Sequence, residues 1–292
     1  MKRIWGIVTV MTLALSACQQ PQEVALTPDP QTSGIDIEPI VTPDSGLVAA
    51  ANDSLSALLP ADRIQYRGLF TVSHVKLDAG QGISSFALSG VFLGDSAIQH
   101  MGRTVGYRGM NLGTVTVNND TMAALPHRIS IHRWQGRDSV LLRGWEYLAN
   151  LTGVYQPAVA YTWRMSGTGL GEVTIVAPSD LMVYSPTGGA VVSRRNDLEL
   201  RWSGTGHPPL ILISAYTPAT KTSKPLVQIR PRLNTGRAYV PSRLLRELPE
   251  GQRFFLFTFI LANRMENVAV GQYSGSVLVQ AASVYTSLVE LR

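Results

Sequence analysis

The sequence predicts a mainly β protein: two antiparallel β-sandwich-like domains in tandem, behind a signal peptide and a disordered tether. Three observations predict it. From about Tyr66 onward, short runs of β-branched and aromatic residues alternate with polar ones, and Gly- and Asn-containing turn signals separate them. No long stretch keeps the 3.6-residue apolar period of a helix. Apolar residues make up 45% of the chain and charged residues only 15%, and the 292-residue length allows one large or two medium domains with sizeable cores.

Residues 1–17 come first. A basic start at Lys2 and Arg3, an apolar run from Ile4 and a small-residue exit at Ser16 and Ala17 form a secretory signal peptide. The run to Ala17 is too short to cross about 30 Å of hydrocarbon as a helix. Leu15-Ser16-Ala17-Cys18 resembles the lipobox of bacterial lipoproteins. That resemblance implies cleavage just before Cys18, a diacylglyceryl group on its thiol and a second acylation of its new amine. Several acyl chains anchor firmly where one binds only marginally. Ordinary secretory cleavage, leaving a soluble protein with a free thiol, is the competing outcome; bulky Leu15 fits it poorly. By resemblance to the enteric sorting rule, Gln19 after the cysteine favours the outer membrane. Cys18 is the only cysteine, so no disulfide can form within the chain, and packing must supply the stability.

Residues 18–59 read as a tether. Pro21, Pro28, Pro30, Pro39 and Pro43 recur among Thr, Asp, Gln and Ser, a composition too polar to offset its ordering entropy and biased towards extended spacing. Between Gln19 and Ser54 there are six acids and no Lys or Arg. The rest of the mature chain then holds 23 basic against 14 acidic side chains, a net +9. Its basic residues are nearly all arginines, which suit bidentate contact with phosphate or carboxylate. They can be read as attraction to an anionic envelope surface or as charges spread over solvated faces. The compartment and the lack of a recognition motif exclude nucleic acid as a partner.

Residues 60–177 read as an antiparallel β-domain. Strand-like runs fall at 69–72, 85–93, 113–117 and 139–143, with a turn at Asn118-Asn119-Asp120. Runs 161–165 and 172–176 make a hairpin in which Tyr161, Trp163 and Met165 share one face while Thr162 and Arg164 take the other.

Residues 178–292 form the second domain. Leu198, Leu200 and Trp202 alternate with Glu199 and Arg201, and further strands are expected at 210–215, 226–229, 255–262, 277–279 and 285–291. A Trp on the second strand and a Leu248-Pro249-Glu250-Gly251 corner before the sixth resemble fibronectin type III and related immunoglobulin-like domains. The resemblance implies an immunoglobulin-like sandwich. It departs at the corner, where Phe254 lacks the hydroxyl that a tyrosine would supply. A helical turn at 242–248 precedes that corner.

Chemistry is sparse. His74, His100, His127, His132 and His207 show neither HExxH nor paired zinc spacing, and no G-x-S-x-G elbow is present. Gly167-Thr168-Gly169-Leu170-Gly171 lacks the lysine and helix of a phosphate loop. No catalytic residue, metal or cofactor is implied. The candidate ligand contacts are aromatic and basic: Trp134 and Trp145 as surface aromatics, and Arg230, Arg232 and Arg237 either as an anion patch or as guards of an edge strand. Trp163 and Trp202 are expected in the core. The chain thus reads as a lipid-anchored envelope lipoprotein, held to the membrane through Cys18, that binds or scaffolds another envelope protein or a surface glycan without catalysis. The alternative is a lipid-anchored hydrolase of envelope polysaccharide or peptide whose site forms only in three dimensions.

Overall fold

A computed structural model describes residues 35–39, 49–51, 67–78, 82–100, 103–131, 139–150, 155–167, 169, 171–220, 222–271 and 277–292. Nearly all of its regular structure is β. One long mixed sheet carries two smaller sheets, and the strand that organises all three is the last, β19 (Val277–Leu291).

In sequence, Val277–Val279 and Tyr285–Leu291 look like separate strands because Gln280 and Ser283 interrupt the apolar pattern between them. In space they are one 15-residue strand, and those polar residues are buried. On one edge β19 pairs antiparallel with β18 (Phe254–Met265); on the other it pairs parallel with β3 (Gly68–Asp78) over eleven residue pairs. Successive side chains of a strand alternate between faces. Val277, Val279 and Ala281 therefore share a face with Val289 and Leu291, yet the first three belong to one hydrophobic core and the last two to another. The two cores sit side by side on the same face of the long sheet.

The core nearer the start of β19 is closed by a four-stranded sheet of β6 (Val115–Val117), β7 (Asp120–Thr121), β10 (Ala160–Met165) and β11 (Glu172–Val176). Tyr161, Trp163 and Met165 point inward from β10, as their alternation predicts, and the Trp163 ring packs 5.5 Å from that of Phe70. Opposite them lie β3, β4 (Ile83–His100) and β9 (Ser139–Asn150) of the long sheet.

The core nearer the C-terminus is closed by a three-stranded sheet in the order β12 (Met182–Ser185), β14 (Leu198–Ser203), β17 (Arg237–Val240). It faces β15 (Leu210–Thr217), β16 (Thr222–Pro231), β18 and β19, while the short β13 (Val191–Val192) crosses over to pair parallel with β19. Three strands facing a set led by β15, β18 and β19 is the Greek-key distribution of an immunoglobulin-like sandwich. Trp202 is buried in this core, as expected, and its indole N–H donates to Asn234 Oδ1 at 2.9 Å.

The helical turn expected at 242–248 is α1 (Ser242–Glu247). The corner after it is secured without a tyrosine. The Arg194 guanidinium donates to four carbonyls, those of Leu245, Leu248, Pro249 and Gln252, at 2.6–3.2 Å. Burial lowers the pKa of this arginine, because the cation is partly withdrawn from water.

The stretch read as a tether holds strand structure. β1 (Ile35–Pro39) pairs antiparallel with β16, and β2 (Ala49–Ala51) pairs with β8 (Ala123–Ile131). Ile35 is buried in the C-terminal core and Ile37 packs against it, while Asp36 and Glu38 face outward. Only four alternating residues carry this signal, and the surrounding Pro-rich composition conceals it.

Candidate functional site

The outer face of the three-stranded sheet is where this chain leaves chemistry unspent. Alternation turns Leu198, Leu200 and Trp202 inward on β14 and Ala238 and Val240 inward on β17. It turns Glu199 and Arg201, then Arg237 and Tyr239, outward. β12 adds Met182 and Tyr184. Tyr184 and Tyr239 are 54% and 53% exposed, large values for aromatic side chains.

Cross-strand register places Arg201 directly opposite Arg237, and Glu199 opposite Tyr239. Like charges facing each other on one sheet face are unfavourable. Several arginines elsewhere are matched by acids: Arg164 with Glu172, Arg243 with Glu247, Arg264 with Glu266, and Arg253 and Arg292 with Glu290. The two guanidiniums of the facing pair have no such partner among the described residues. The one carboxylate nearby, Glu199, accepts a hydrogen bond from the Tyr239 hydroxyl at 3.2 Å. An open hollow of about 490 Å³ lies over this spot, lined by Tyr184, Glu199, Arg201, Thr235 and Arg237.

The sequence-predicted contacts separate. Arg237 belongs to this hollow. Arg230 and Arg232 lie on or beside β16 and reach β1 instead: Arg232 grips Asp36 at 2.8 Å, and Arg230 approaches Glu38 at 4.0 Å. The Arg232 hydrogen bond holds the Asp36 carboxyl below its usual range. These two arginines have their counter-charges on the edge strand β1. Trp145 stands 41% exposed on β9 of the long sheet, opposite Pro126, and does not join the hollow. Trp134 and Cys18 lie outside the described residues. Arg201, Tyr184 and Tyr239 were not singled out from sequence. The outward phase of Arg201 was readable from the 198–202 alternation; its juxtaposition with Arg237 depends on strand register, which the sequence does not display.

A second cluster lies in the seam between the two cores. Asp180, just before β12, accepts from Lys76 Nζ at 2.6 Å and lies 3.2 Å from His74 Nδ1, while His74 Nε2 is 2.9 Å from Ser84 Oγ. The order Ser, His, Asp with these ring nitrogens matches the arrangement of a serine hydrolase. Three features work against that use. The Nδ1 atom is not aligned for a hydrogen bond to the carboxylate. The Lys76 ammonium already neutralises Asp180. Ser84 sits in the regular strand β4 and not on a sharp turn that presents a nucleophile beside backbone donors. Burial lowers the His74 pKa and outweighs the opposing pull of Asp180, so the imidazole is neutral near pH 7.

The remaining contacts of the seam bind chain to chain. Tyr155 stacks on the His74 ring at 4.5 Å and donates to the Pro178 carbonyl at 2.7 Å. Leu181 N–H donates to Ser283 Oγ at 3.0 Å. Asp78 accepts from the Tyr285 hydroxyl at 2.7 Å and from Gly188 N–H at 2.8 Å. A Cβ on Gly188 would stand 2.2 Å from the Asp78 carbonyl oxygen, so only glycine fits there. These contacts fix the connection between the two sandwiches onto β3 and β19.

Among the described residues, no three His, Cys, Asp or Glu side chains converge on a point that could hold a metal, and no helix is long and apolar enough to cross a membrane. No protein-family model and no curated protein matches the chain. Among solved structures, one described as "Crystal structure of DIP-gamma IG1+IG2" is 10% identical and aligns over 78% of this chain and 95% of its own, with a TM-score of 0.18. A superposition that poor transfers no geometry; the immunoglobulin-like order of the C-terminal strands stands on their own pairing.

Proposed function

We propose that this chain is a lipid-anchored envelope lipoprotein that acts as a non-catalytic binding or scaffolding module, presenting the outer face of its three-stranded sheet to another envelope protein or a surface glycan. The observation that carries the binding reading is the facing pair Arg201 and Arg237, flanked by the exposed rings of Tyr184 and Tyr239. Tyrosine and arginine are the residues that interfaces favour, and here they stand on a rigid sheet, which limits the ordering cost of binding. The anchor rests on the lipobox-like residues ending in Cys18 and on the resemblance to bacterial lipoproteins. The test is cross-linking of a C-terminally tagged chain in its own cells, beside a Cys18→Ser control. The expected result is one enriched envelope component with the native chain, and loss of both fatty-acid labelling and membrane retention in the control. Labelling that persists in Cys18→Ser defeats the anchor; a native chain that enriches nothing defeats the binding role.

The hydrolase alternative has one observation in its favour, the Ser84–His74–Asp180 spacing. A fluorophosphonate probe decides it. Labelling of the native chain that disappears in Ser84→Ala would establish a nucleophile; no labelling of either removes that support.

A further inference from the structure

Deepening the binding reading above, we infer that the hollow over Arg201 and Arg237 is a site for an acidic saccharide: a sugar ring bearing a carboxylate or phosphate. Four features select this chemistry. Arg201 and Arg237, opposite each other in strand register and both exposed, can bring paired N–H donors to one ligand, and both carboxylates and phosphates accept such donors bidentately. An anion lying between the two guanidiniums relieves their mutual repulsion. Glu199, two residues before Arg201 on the same face, disfavours a bare anion but accepts hydrogen bonds from neutral hydroxyls, as it already does from Tyr239. A sugar acid offers both at once, its anionic group to the arginines and its hydroxyls to Glu199. Tyr184 and Tyr239 border the arginines with exposed rings against which the apolar face of a pyranose can pack. A protein partner is the other class for this face. The small, open hollow and the clustering of both signs of polar group within it favour a ring-sized ligand.

Calorimetry on the full-length chain in detergent micelles tests this with four probes: an oligosaccharide of a hexuronic acid, a sugar phosphate, a neutral oligosaccharide of the same length, and inorganic phosphate. At least one of the two acidic sugars binds and the neutral one does not; which acidic sugar binds more tightly identifies the anion. Inorganic phosphate binds more weakly than the sugar phosphate, because it has no ring to pack against Tyr184 and Tyr239. Arg201→Gln and Arg237→Gln each weaken the acidic sugar about tenfold, the loss expected for a charge-assisted hydrogen-bonded contact. Tyr239→Ala weakens the sugar without affecting inorganic phosphate. Both arginines are exposed, and melting curves no lower than that of the native chain confirm that these variants fold. Acidic sugar binding that survives both arginine substitutions overturns the assignment, as does neutral sugar binding as tight as acidic, or no binding of either acidic sugar. The cross-linked envelope component separates the two claims. If its capture persists in the double arginine variant, binding stands and the acidic-saccharide site falls.

Discussion

Two arginine-bearing surfaces of the C-terminal sandwich invite comparison. Along β1 and β16, Arg230 and Arg232 meet Glu38 and Asp36 beside the backbone pairing that covers the β16 edge. On the three-stranded sheet, Arg201 and Arg237 face each other across one register position without a matching carboxylate. Composition treats the four alike. Their surroundings assign them opposite work: the first pair has its counter-charges built into the fold, and the second has a counter-charge still to find.

The largest effect expected from that contrast belongs to the unmatched pair. Arg201→Gln with Arg237→Gln lowers acidic-saccharide affinity roughly a hundredfold by calorimetry. The same double variant melts no lower than the native chain, and removing the like-charge opposition adds up to about 1 kcal/mol of stability.

Next in size is the most fully matched arginine. Arg194→Ala strips four carbonyls of their donor and costs roughly 2 kcal/mol in denaturant unfolding, with saccharide affinity unchanged. A variant that kept its stability but lost the sugar would reverse the contrast.

The seam supplies a pH test. His74 has its pKa lowered by burial, so below the unfolded value of about 6.5 the unfolded chain takes up a proton that the folded chain does not. Stability therefore falls as pH drops below that value, until the folded imidazole is itself protonated. His74→Gln flattens this part of the profile; a native profile that rose towards acid would contradict it. The smallest effect is at the edge. Arg232→Gln leaves the melting temperature nearly unchanged, because the Asp36 pair is fully solvated, and leaves sugar binding unaffected.

The strand content, the β10–β11 hairpin, the burial of Trp163 and Trp202 and the helical turn before the corner were all readable from periodicity. Each depends on local alternation or turn chemistry, which sequence displays directly. What was hidden depends on long-range partners. β1 was masked by its proline-rich surroundings. The polar residues of β19 made one strand look like two, because a strand largely buried on both faces need not alternate. Arg194 replaces the missing tyrosine from some 50–60 residues away. At the site, Arg237 was visible as a candidate but was grouped with Arg230 and Arg232, its neighbours in sequence, when its partner in space is Arg201. Register alone makes that pair, and register is a property of the assembled sheet.

The central claim is tested most directly by amide chemical-shift mapping of the full-length chain during titration with the acidic saccharide that binds more tightly. Shifts concentrated at Tyr184, Glu199, Arg201, Arg237 and Tyr239, with Arg230, Arg232 and Trp145 unmoved, are the predicted result. Shifts centred on Trp145 or along β1 and β16, with the facing arginines silent, would contradict it.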